Sequence, residues 1–213
     1  MSIEGEKRVA AEAAAEFVEN GMTVGLGTGT TVAYLLPALA RRRLSIRCAA
    51  TSPRTEQAAR DLGLSLEPVG AIDEFDITID GADQVAPDGW LVKGGGGAHT
   101  REKILAAAAR RFVVIADSTK PVGALRPPVP LELLDFGLHA TLRRLGSAAL
   151  RDAPLSPDAG VIADYHGAVS DPAALAAWLS GTPGVVEHGL FPPELVTVIL
   201  IGRGESVEER VLR

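Results

Sequence analysis

The stretch Thr23-Val24-Gly25-Leu26-Gly27-Thr28-Gly29-Thr30-Thr31 decides the fold class. Its first four residues predict a short strand, and the glycines and threonines after them predict a turn. The next segment places Val32, Leu35, Leu36 and Leu39 on one face of a helix. A strand that leads through a glycine turn into a helix is typical of an α/β domain.

Helix and strand patterns continue to alternate on both sides of this stretch. A first helix is predicted over residues 4–18 and stops at Asn20-Gly21. Further strands are predicted over 46–50, 75–79 and 112–116. One further helix ends at Gly63, and another runs over 100–110. The alternation predicts a Rossmann-like α/β domain with a mainly parallel sheet. In such sheets, ligands bind in the loops at the carboxyl ends of the strands.

A proline-rich stretch, residues 120–130, marks the boundary to a second domain, because proline sustains neither a helix nor a central strand. The order predicted after it is strand, helix, strand, strand, helix, strand, with Asp171-Pro172 starting the second helix. This order predicts a smaller ferredoxin-like α+β domain. We expect an α/β catalytic domain over 1–125 and a small domain over 126–199, with 200–213 as a candidate to return to the first.

Composition and charge exclude several classes of protein. The 213 residues carry a net charge of −6, which argues against nucleic-acid and anionic-membrane partners, because these bind basic surfaces. No apolar run approaches the ~20 residues of a membrane helix, and the charged N-terminal segment does not resemble a signal peptide. We therefore expect a cytoplasmic protein. The single cysteine, Cys48, excludes an internal disulfide, and its strand-like surroundings predict a buried thiol.

The turn Gly27–Thr31 has the composition of an anion site. Glycines let backbone N–H groups approach a phosphate, the threonine hydroxyls donate further, and a helix N-terminus supplies partial positive charge. The turn is not a Walker loop, because no Gly-Lys-Ser/Thr follows, and it lacks the third glycine of a dinucleotide fingerprint. A plain turn between a strand and a helix remains the alternative.

The motif Asp80-Gly81-Ala82-Asp83 places two carboxylates at the end of a predicted strand. Paired carboxylates beside a polar cleft suit proton transfer to and from hydroxyl groups. An Asx-turn in which both acids cap backbone amides is one alternative. A magnesium site is another, although a hard cation needs more oxygen ligands than this motif offers.

The run Lys93-Gly94-Gly95-Gly96-Gly97-Ala98-His99-Thr100-Arg101-Glu102-Lys103 is the hardest feature to explain structurally. Consecutive glycines cost conformational entropy, so a folded domain keeps them where the backbone approaches something closely or turns unusually. Glu102 falls in the first turn of the next helix, where the helix dipole favours an ionised carboxylate that could act as a base. The alternatives are an ordinary first-turn acid for Glu102 and a solvated surface lysine for Lys93.

Other polar side chains carry weaker signals. We expect His99 and Arg101 to be supporting or exposed residues, and the other histidines are too dispersed for a zinc site. No Gly-x-Ser-x-Gly motif indicates a serine hydrolase. Lys120, which follows the strand at 112–116, either reaches the same cleft or is a loop cation.

Together, several segments resemble ribose-5-phosphate isomerase of the A type. The matching segments, in the order of that family, are Val24–Thr31, Thr51-Ser52, Asp80–Asp83, Lys93–Lys103, Ala116–Lys120 and Pro183–Phe191. They span most of the chain, and the glycine run with its flanking Lys93 and Arg101-Glu102-Lys103 is highly specific.

The resemblance implies an aldose–ketose isomerase that interconverts ribose 5-phosphate and ribulose 5-phosphate through an enediolate, without a metal or organic cofactor. Glu102 would move the proton between C2 and C1, and Asp80 would act on the ring oxygen and hydroxyl protons. Asp83 and Lys93, with amides of the glycine run, would stabilise the enediolate oxygens. Electrostatic stabilisation of this kind is usually the largest single contribution to the rate enhancement of an enzyme.

The resemblance also implies how the rest of the substrate is bound. The Gly27–Thr31 loop and Lys120 would hold the 5-phosphate, with Lys7 assisting from a neighbouring element. Further substrate-binding residues implied by the same motifs are Gly81, Ala82, Gly94, Gly95 and Gly96. A homodimer or homotetramer is the assembly expected of the family.

The chain departs from the family pattern at Gln84, where glutamate is usual, at Gly146-Ser147, and at Asp158–Val161. We expect the change at Gln84 to have little effect, because the implied base is Glu102. The other two differences lie outside the implied cleft and bear on the contacts of the small domain. A second hypothesis is a non-catalytic sugar-phosphate sensor, such as the effector domain of a transcriptional regulator. Such a protein should carry a DNA-binding motif, for which this acidic chain has no spare segment, and should have lost the candidate acids and bases, which are all present here. A hexosamine-phosphate deaminase or a CoA transferase is a third.

Overall fold

The computed structural model describes residues 2–213, which form six α-helices, two short 3₁₀ helices (Val69–Ala71 and Pro193–Leu195) and thirteen strands. The α-helices are α1 (Ile3–Ala15), α2 (Val32–Arg42), α3 (Pro53–Asp61), α4 (His99–Ala107), α5 (Leu138–Leu145) and α6 (Pro172–Ser180). The strands are β1 (Thr23–Leu26), β2 (Arg47–Ala50), β3 (Ile77–Gly81), β4 (Gln84–Val85), β5 (Leu91–Val92), β6 (Phe112–Asp117), β7 (Val129–Leu133), β8 (Ala148–Leu150), β9 (Val161–Tyr165), β10 (Val185–His188), β11 (Leu190–Phe191), β12 (Val198–Arg203) and β13 (Ser206–Val211).

These elements form two compact units. Unit 1 contains the chain up to Ala82 together with Arg101–Lys120 and Glu194–Arg213, and unit 2 contains Asp83–Thr100 and Pro121–Pro193. This division differs from the one expected at 125/126. Residues 83–100 fall in unit 2 because β4 and β5 pair there with β11 in a three-stranded sheet.

Unit 1 is built on a six-stranded sheet in the order β13-β12-β6-β3-β1-β2. All neighbours are parallel except β13, which pairs antiparallel with β12. The predicted Rossmann-like, mainly parallel sheet is confirmed, and the C-terminal segment belongs to it. Helix α1 packs through small side chains, since Ala10, Ala11, Ala14 and Ala15 are all buried in the core.

Unit 2 contains a four-stranded antiparallel sheet in the order β10-β7-β9-β8, with α5 and α6 in the connections. The predicted ferredoxin-like order is therefore confirmed. Helix α6 begins as expected, because the Asp171 side chain accepts a hydrogen bond from the Ala174 N–H.

One expectation about the proline-rich stretch is wrong. Pro130 lies in β7, which is a central strand of the unit 2 sheet. Pro130 pairs with Asp164 of β9, whereas the pairing of β7 with β10 covers only Leu131 to Leu133. Proline is tolerated because it sits near the start of the strand, where its carbonyl still accepts from the Gly189 N–H (2.7 Å) and only a donor is lost. Within residues 2–213, no helix has the length and apolar character needed to cross a membrane.

Candidate active site

Gly25 in β1 and Gly27 directly after it make room for two side chains of β3. An added Cβ at Gly25 would lie 2.2 Å from Thr78 Oγ1, and one at Gly27 would lie 2.0 Å from Asp80 Cγ. Thr78 and Asp80 are two residues apart on one strand, so they share a face of the sheet. The glycines therefore allow both polar side chains to lie directly against the backbone of β1 and the turn after it.

Asp80 is fully buried at the carboxyl end of β3. Its Oδ1 accepts hydrogen bonds from the Thr28 N–H (3.0 Å) and the Gly81 N–H (2.7 Å). One carboxylate oxygen thus fixes the start of the glycine turn and the residue after Asp80 itself. The structure places this predicted catalytic residue where strand ends of an open sheet usually carry ligand sites.

Glu102 lies in the first turn of α4 and is 3% exposed. Three residues later, the Leu105 carbonyl accepts a hydrogen bond from Thr78 Oγ1 (3.1 Å), and the Leu105 side chain packs in a cluster with Phe75. Thr78 therefore anchors α4 to β3, the strand that carries Asp80. This contact fixes the helix bearing Glu102 within unit 1.

A cluster of hydroxyl groups surrounds the turn Gly27–Thr31. Thr28 Oγ1 lies 2.8 Å from Thr51 Oγ1 and donates to Ser52 Oγ at 2.8 Å. Ser52 caps α3 by accepting a hydrogen bond from the Thr55 N–H. The turn is thus fixed on one side by Asp80 and on the other by the N-terminal end of α3, with Gly29 at a φ of +123°.

Lys7 and Lys120, the lysines predicted to assist with phosphate, lie on separate elements of unit 1. Lys7 on α1 forms an ion pair with Glu4 (2.7 Å), and Glu4 also accepts a hydrogen bond from Tyr34 in the first turn of α2 (2.6 Å). Lys7 is therefore held near the helix that follows the glycine turn. Lys120 lies in the loop after β6, where its N–H donates to the Asp117 carbonyl (3.2 Å).

Glu6 connects α1 to two other elements. It accepts hydrogen bonds from the Ser118 N–H (3.0 Å) and the Gly204 N–H (2.9 Å). A hydrogen bond from the Ser118 side chain contributes most, and together with these two backbone bonds it lowers the pKa of Glu6 from 4.5 to about 2. Glu6 is therefore an anion at all ordinary pH values, and it holds the loop that carries Lys120 against α1.

In unit 2, the glycine run is held in an unusual conformation beside Asp83. The Gly95 N–H donates to Asp83 Oδ2 at 2.8 Å. Gly94 has a φ of +106°, and an added Cβ there would lie 2.8 Å from Pro130 and from His99. A side chain at Gly95 would lie 3.0 Å from Asp83. Close approach of side chains to the backbone therefore explains the glycines at these two positions.

Lys93 is not a surface lysine, because it is only 2% exposed. Its N–H donates to the Gly189 carbonyl (2.8 Å), and its ammonium lies 5.3 Å from the centre of the Phe191 ring. His99 is fully buried rather than exposed. Unit 1 thus gathers Asp80, Glu102 and the glycine turn, and unit 2 gathers Asp83, Lys93 and the glycine run.

Sequence patterns missed several residues that shape these sites: Glu6, Thr78, Thr55, Arg151 and Asp164. Thr78 could have been found from the alternation along β3, since it shares a face with Asp80. Glu6 looked like any acid in a first helical turn. Arg151 donates to the Gly94 carbonyl (3.0 Å) and is itself held by Asp164 (2.9 Å). Both lie far from the glycine run in sequence, so only the folded pair of strands β8 and β9 brings them to it.

Comparisons with known proteins come from sequence and from structure. The family model for ribose 5-phosphate isomerase A (phosphoriboisomerase A) matches residues 47–206. A ribose-5-phosphate isomerase A of Caulobacter vibrioides is 44% identical in an alignment of 223 positions, which covers 97% of this chain and 98% of that protein. The match therefore extends over nearly the whole of both chains.

Solved structures agree with this result. A ribose 5-phosphate isomerase A from Neisseria gonorrhoeae superposes with a TM-score of 0.95 at 30% identity, covering 100% of this chain and 98% of the other. A D-ribose-5-phosphate isomerase in complex with phospho-erythronic acid has a TM-score of 0.93 at 31% identity, covering 99% of this chain and 100% of the other. The similarity thus includes the fold of both units.

Proposed function

Because the chain belongs to the ribose 5-phosphate isomerase A family and interconverts ribose 5-phosphate and ribulose 5-phosphate, we propose that Glu102 is the base of this reaction. The step belongs to the non-oxidative branch of the pentose phosphate pathway. Glu102 takes the C2 proton of the open-chain aldose, and the electron pair of that bond forms the enediolate. Transfer of the O2 hydroxyl proton to O1 and return of the first proton to C1 then give the ketose.

The position of Glu102 is the observation that supports this role most directly. Glu102 is 3% exposed and lies in the first turn of the nine-residue helix α4, where the helix dipole favours the ionised form of a carboxylate. Burial keeps water from solvating the base, and a poorly solvated carboxylate is a better acceptor for a carbon-bound proton. The Thr78–Leu105 hydrogen bond fixes the helix that carries it.

Asp80 is proposed to move the hydroxyl and ring-oxygen protons. Ring opening needs a proton delivered to the ring oxygen and one removed from the O1 hydroxyl, and a carboxyl group can do both in turn. Asp80 suits this task because it is buried and two amide donors hold its Oδ1 in place. The Gly27–Thr31 turn, Lys7 and Lys120 are proposed to bind the 5-phosphate, through amides, hydroxyls and two cations.

In unit 2, Asp83, Lys93 and the amides of the glycine run are proposed to stabilise charge on the enediolate oxygens. Negative charge grows on O1 and O2 as the C2 proton leaves, so the Lys93 cation and N–H donors lower the barrier. Asp83, itself an acid, contributes by holding the glycine run through the Gly95 N–H. No metal or organic cofactor has a step in this proposal. A homodimer or homotetramer in the cytoplasm is proposed from the family resemblance.

A coupled assay for ribulose 5-phosphate formation, run with and without EDTA, tests the reaction and its independence from metal ions. Glu102→Gln should lower kcat by about 10³-fold and should abolish exchange of the C2 proton with solvent. Inhibition by inorganic phosphate should be unchanged, because the phosphate site is built from other residues.

Glu56→Gln is the matched control, because Glu56 also lies in the first turn of a helix, α3, but is paired with Arg60 on the surface. It should keep wild-type kcat. Near wild-type proton exchange in Glu102→Gln would show that another group is the base. Turnover that EDTA abolishes would contradict the metal-independent mechanism.

A further inference from the structure

Arg151, which directly follows β8, donates hydrogen bonds to backbone carbonyl groups of the glycine run. One of its terminal nitrogens, Nη1, donates to the Gly94 carbonyl (3.0 Å) and the Gly95 carbonyl (3.2 Å). Along another edge of the guanidinium, the Asp164 carboxylate of β9 accepts hydrogen bonds from Nε (2.9 Å) and Nη2 (2.5 Å). The guanidinium group is thus held between the glycine run and Asp164.

These contacts determine the direction of two peptide groups. In a trans peptide, the C=O of one residue and the N–H of the next point in opposite directions. A cation that holds the carbonyls of Gly94 and Gly95 on one side therefore turns the N–H groups of Gly95 and Gly96 to the other side. The first of these N–H groups donates to Asp83 Oδ2 (2.8 Å), as this geometry requires.

The glycine run could not hold this orientation by itself. Gly94 and Gly97 both have positive φ values, and glycine has more backbone freedom to lose on ordering than any other residue. Gly95 and Gly96 are exposed, so packing of side chains does not fix them. The Gly97 N–H donates to the Gly94 carbonyl (3.0 Å) and Asp83 accepts from the Gly95 N–H, so the Gly94–Gly95 peptide has restraints besides Arg151. Arg151 adds to these and also holds the Gly95 carbonyl, which belongs to the peptide that carries the Gly96 N–H.

We propose that Arg151 is a positioning residue of the isomerase, which orients the Gly96 N–H toward the enediolate and fixes Asp83 through the Gly94–Gly95 peptide. The proposal rests on the function proposed above, in which amides of the glycine run stabilise the enediolate. Arg151 acts through these peptides and does not itself touch the substrate.

The charge of Arg151 contributes as well as its shape. Asp164, by hydrogen bonding and by charge, raises the pKa of Arg151, and the charge of Asp83 adds to this effect. A cation on a carbonyl oxygen withdraws electron density from the peptide, so the N–H at its other end becomes a stronger donor. Lysine cannot reproduce this arrangement, because its three N–H donors share one nitrogen, whereas Arg151 makes four hydrogen bonds from three nitrogens in one plane.

The test compares Arg151→Ala and Arg151→Lys with wild type. Loss of one positioned donor to an oxyanion lowers kcat by about 10²-fold to 10³-fold, and we expect a decrease of that size in Arg151→Ala with little change in KM. Phospho-erythronic acid, whose planar carboxylate is anionic like the enediolate, should bind less tightly by a similar factor. The inhibition constant of inorganic phosphate should stay the same. Added guanidinium ions should restore part of kcat in Arg151→Ala.

Arg42→Ala is the matched control. Arg42 is also half-buried and also donates to two backbone carbonyls, those of Ala15 and Val18, but it lies in unit 1 at the end of α2. It should lower the melting temperature and leave kcat unchanged.

Wild-type kcat in Arg151→Ala would overturn the proposal. So would an equal loss of phosphate and phospho-erythronic acid binding, which would indicate general disorder. If Arg151→Ala does not fold, the inhibition constants of phosphate and phospho-erythronic acid are measured on Arg151→Lys instead. The expectation is the same: weaker binding of phospho-erythronic acid and unchanged binding of phosphate. Failure of the proposed function is distinguishable, because it would appear as absent turnover in wild type or as an active Glu102→Gln.

Discussion

Gly27→Ala introduces the smallest side chain directly after β1, where the backbone lies against Asp80. The added Cβ would lie 2.0 Å from Asp80 Cγ and Oδ1, whereas ordinary contact begins at 3.4 Å, so the carboxylate must retreat by at least ~1.4 Å. Asp80 is fully buried on a strand that is paired on both sides, so the strand cannot move aside. Overpacking of this kind lowers the free energy of unfolding by about 1–3 kcal/mol.

The effect on activity should be larger than the effect on stability. A misplacement of about 1 Å can lower catalysis by about 10²-fold, and Asp80 also loses its hydrogen bond from the Thr28 N–H. We therefore expect kcat in the coupled ribose 5-phosphate assay to fall by about 10²-fold at temperatures where the variant remains folded.

Gly70→Ala is the matched control for this substitution. An added Cβ at Gly70 would meet no atom within 4 Å, and its φ is not positive. It should have wild-type kcat and wild-type melting temperature. A Gly27→Ala enzyme with wild-type kcat would refute the reasoning that links the glycine to the position of Asp80.

Two further predictions concern ionisable groups. The folded-state pKa of Glu6 is lowered from 4.5 to about 2, so its contribution to stability is present above pH 4.5 and is lost as the pH falls toward 2. The difference in melting temperature between wild type and Glu6→Gln should therefore be constant above pH 4.5 and shrink below it, and a difference that does not change with pH would contradict this. Burial raises the pKa of the Cys48 thiol to about 12, so a thiol-specific dye should react at pH 8 only after unfolding. Fast reaction of the folded protein would contradict that burial.

The architecture could be predicted from sequence because its signals are local. The strand-to-helix turn at Gly27–Thr31 and the Asp171-Pro172 helix start depend on residues that are close in sequence, and both were predicted correctly. The three-stranded sheet of β4, β5 and β11 was missed, because strands of two residues leave no alternation to detect. The edge strand β13 was missed too, since its charged residues favour no buried face.

The candidate site shows the same limit. The residues with unusual local sequence, such as Lys93 and Glu102, were found from the glycine run beside them. Residues that act by holding these elements were not found, because their partners are distant in sequence. Arg151 is 56 residues from the Gly95 carbonyl it contacts, and Glu6 is 198 residues from Gly204.

The motif Asp80-Gly81-Ala82-Asp83 had a structural and a catalytic interpretation, and the hydrogen bonds make these compatible. Asp80 accepts from the Thr28 N–H, and Asp83 accepts from the Gly95 N–H, so each aspartate holds one glycine loop with one carboxylate oxygen. Loss of turnover in Asp80→Asn would therefore not by itself assign a proton-transfer role, because the amide also weakens the hold on the turn. Phosphate inhibition separates the two effects: a displaced turn binds phosphate less tightly, whereas a lost proton carrier leaves that binding unchanged and slows only ring opening and isomerisation.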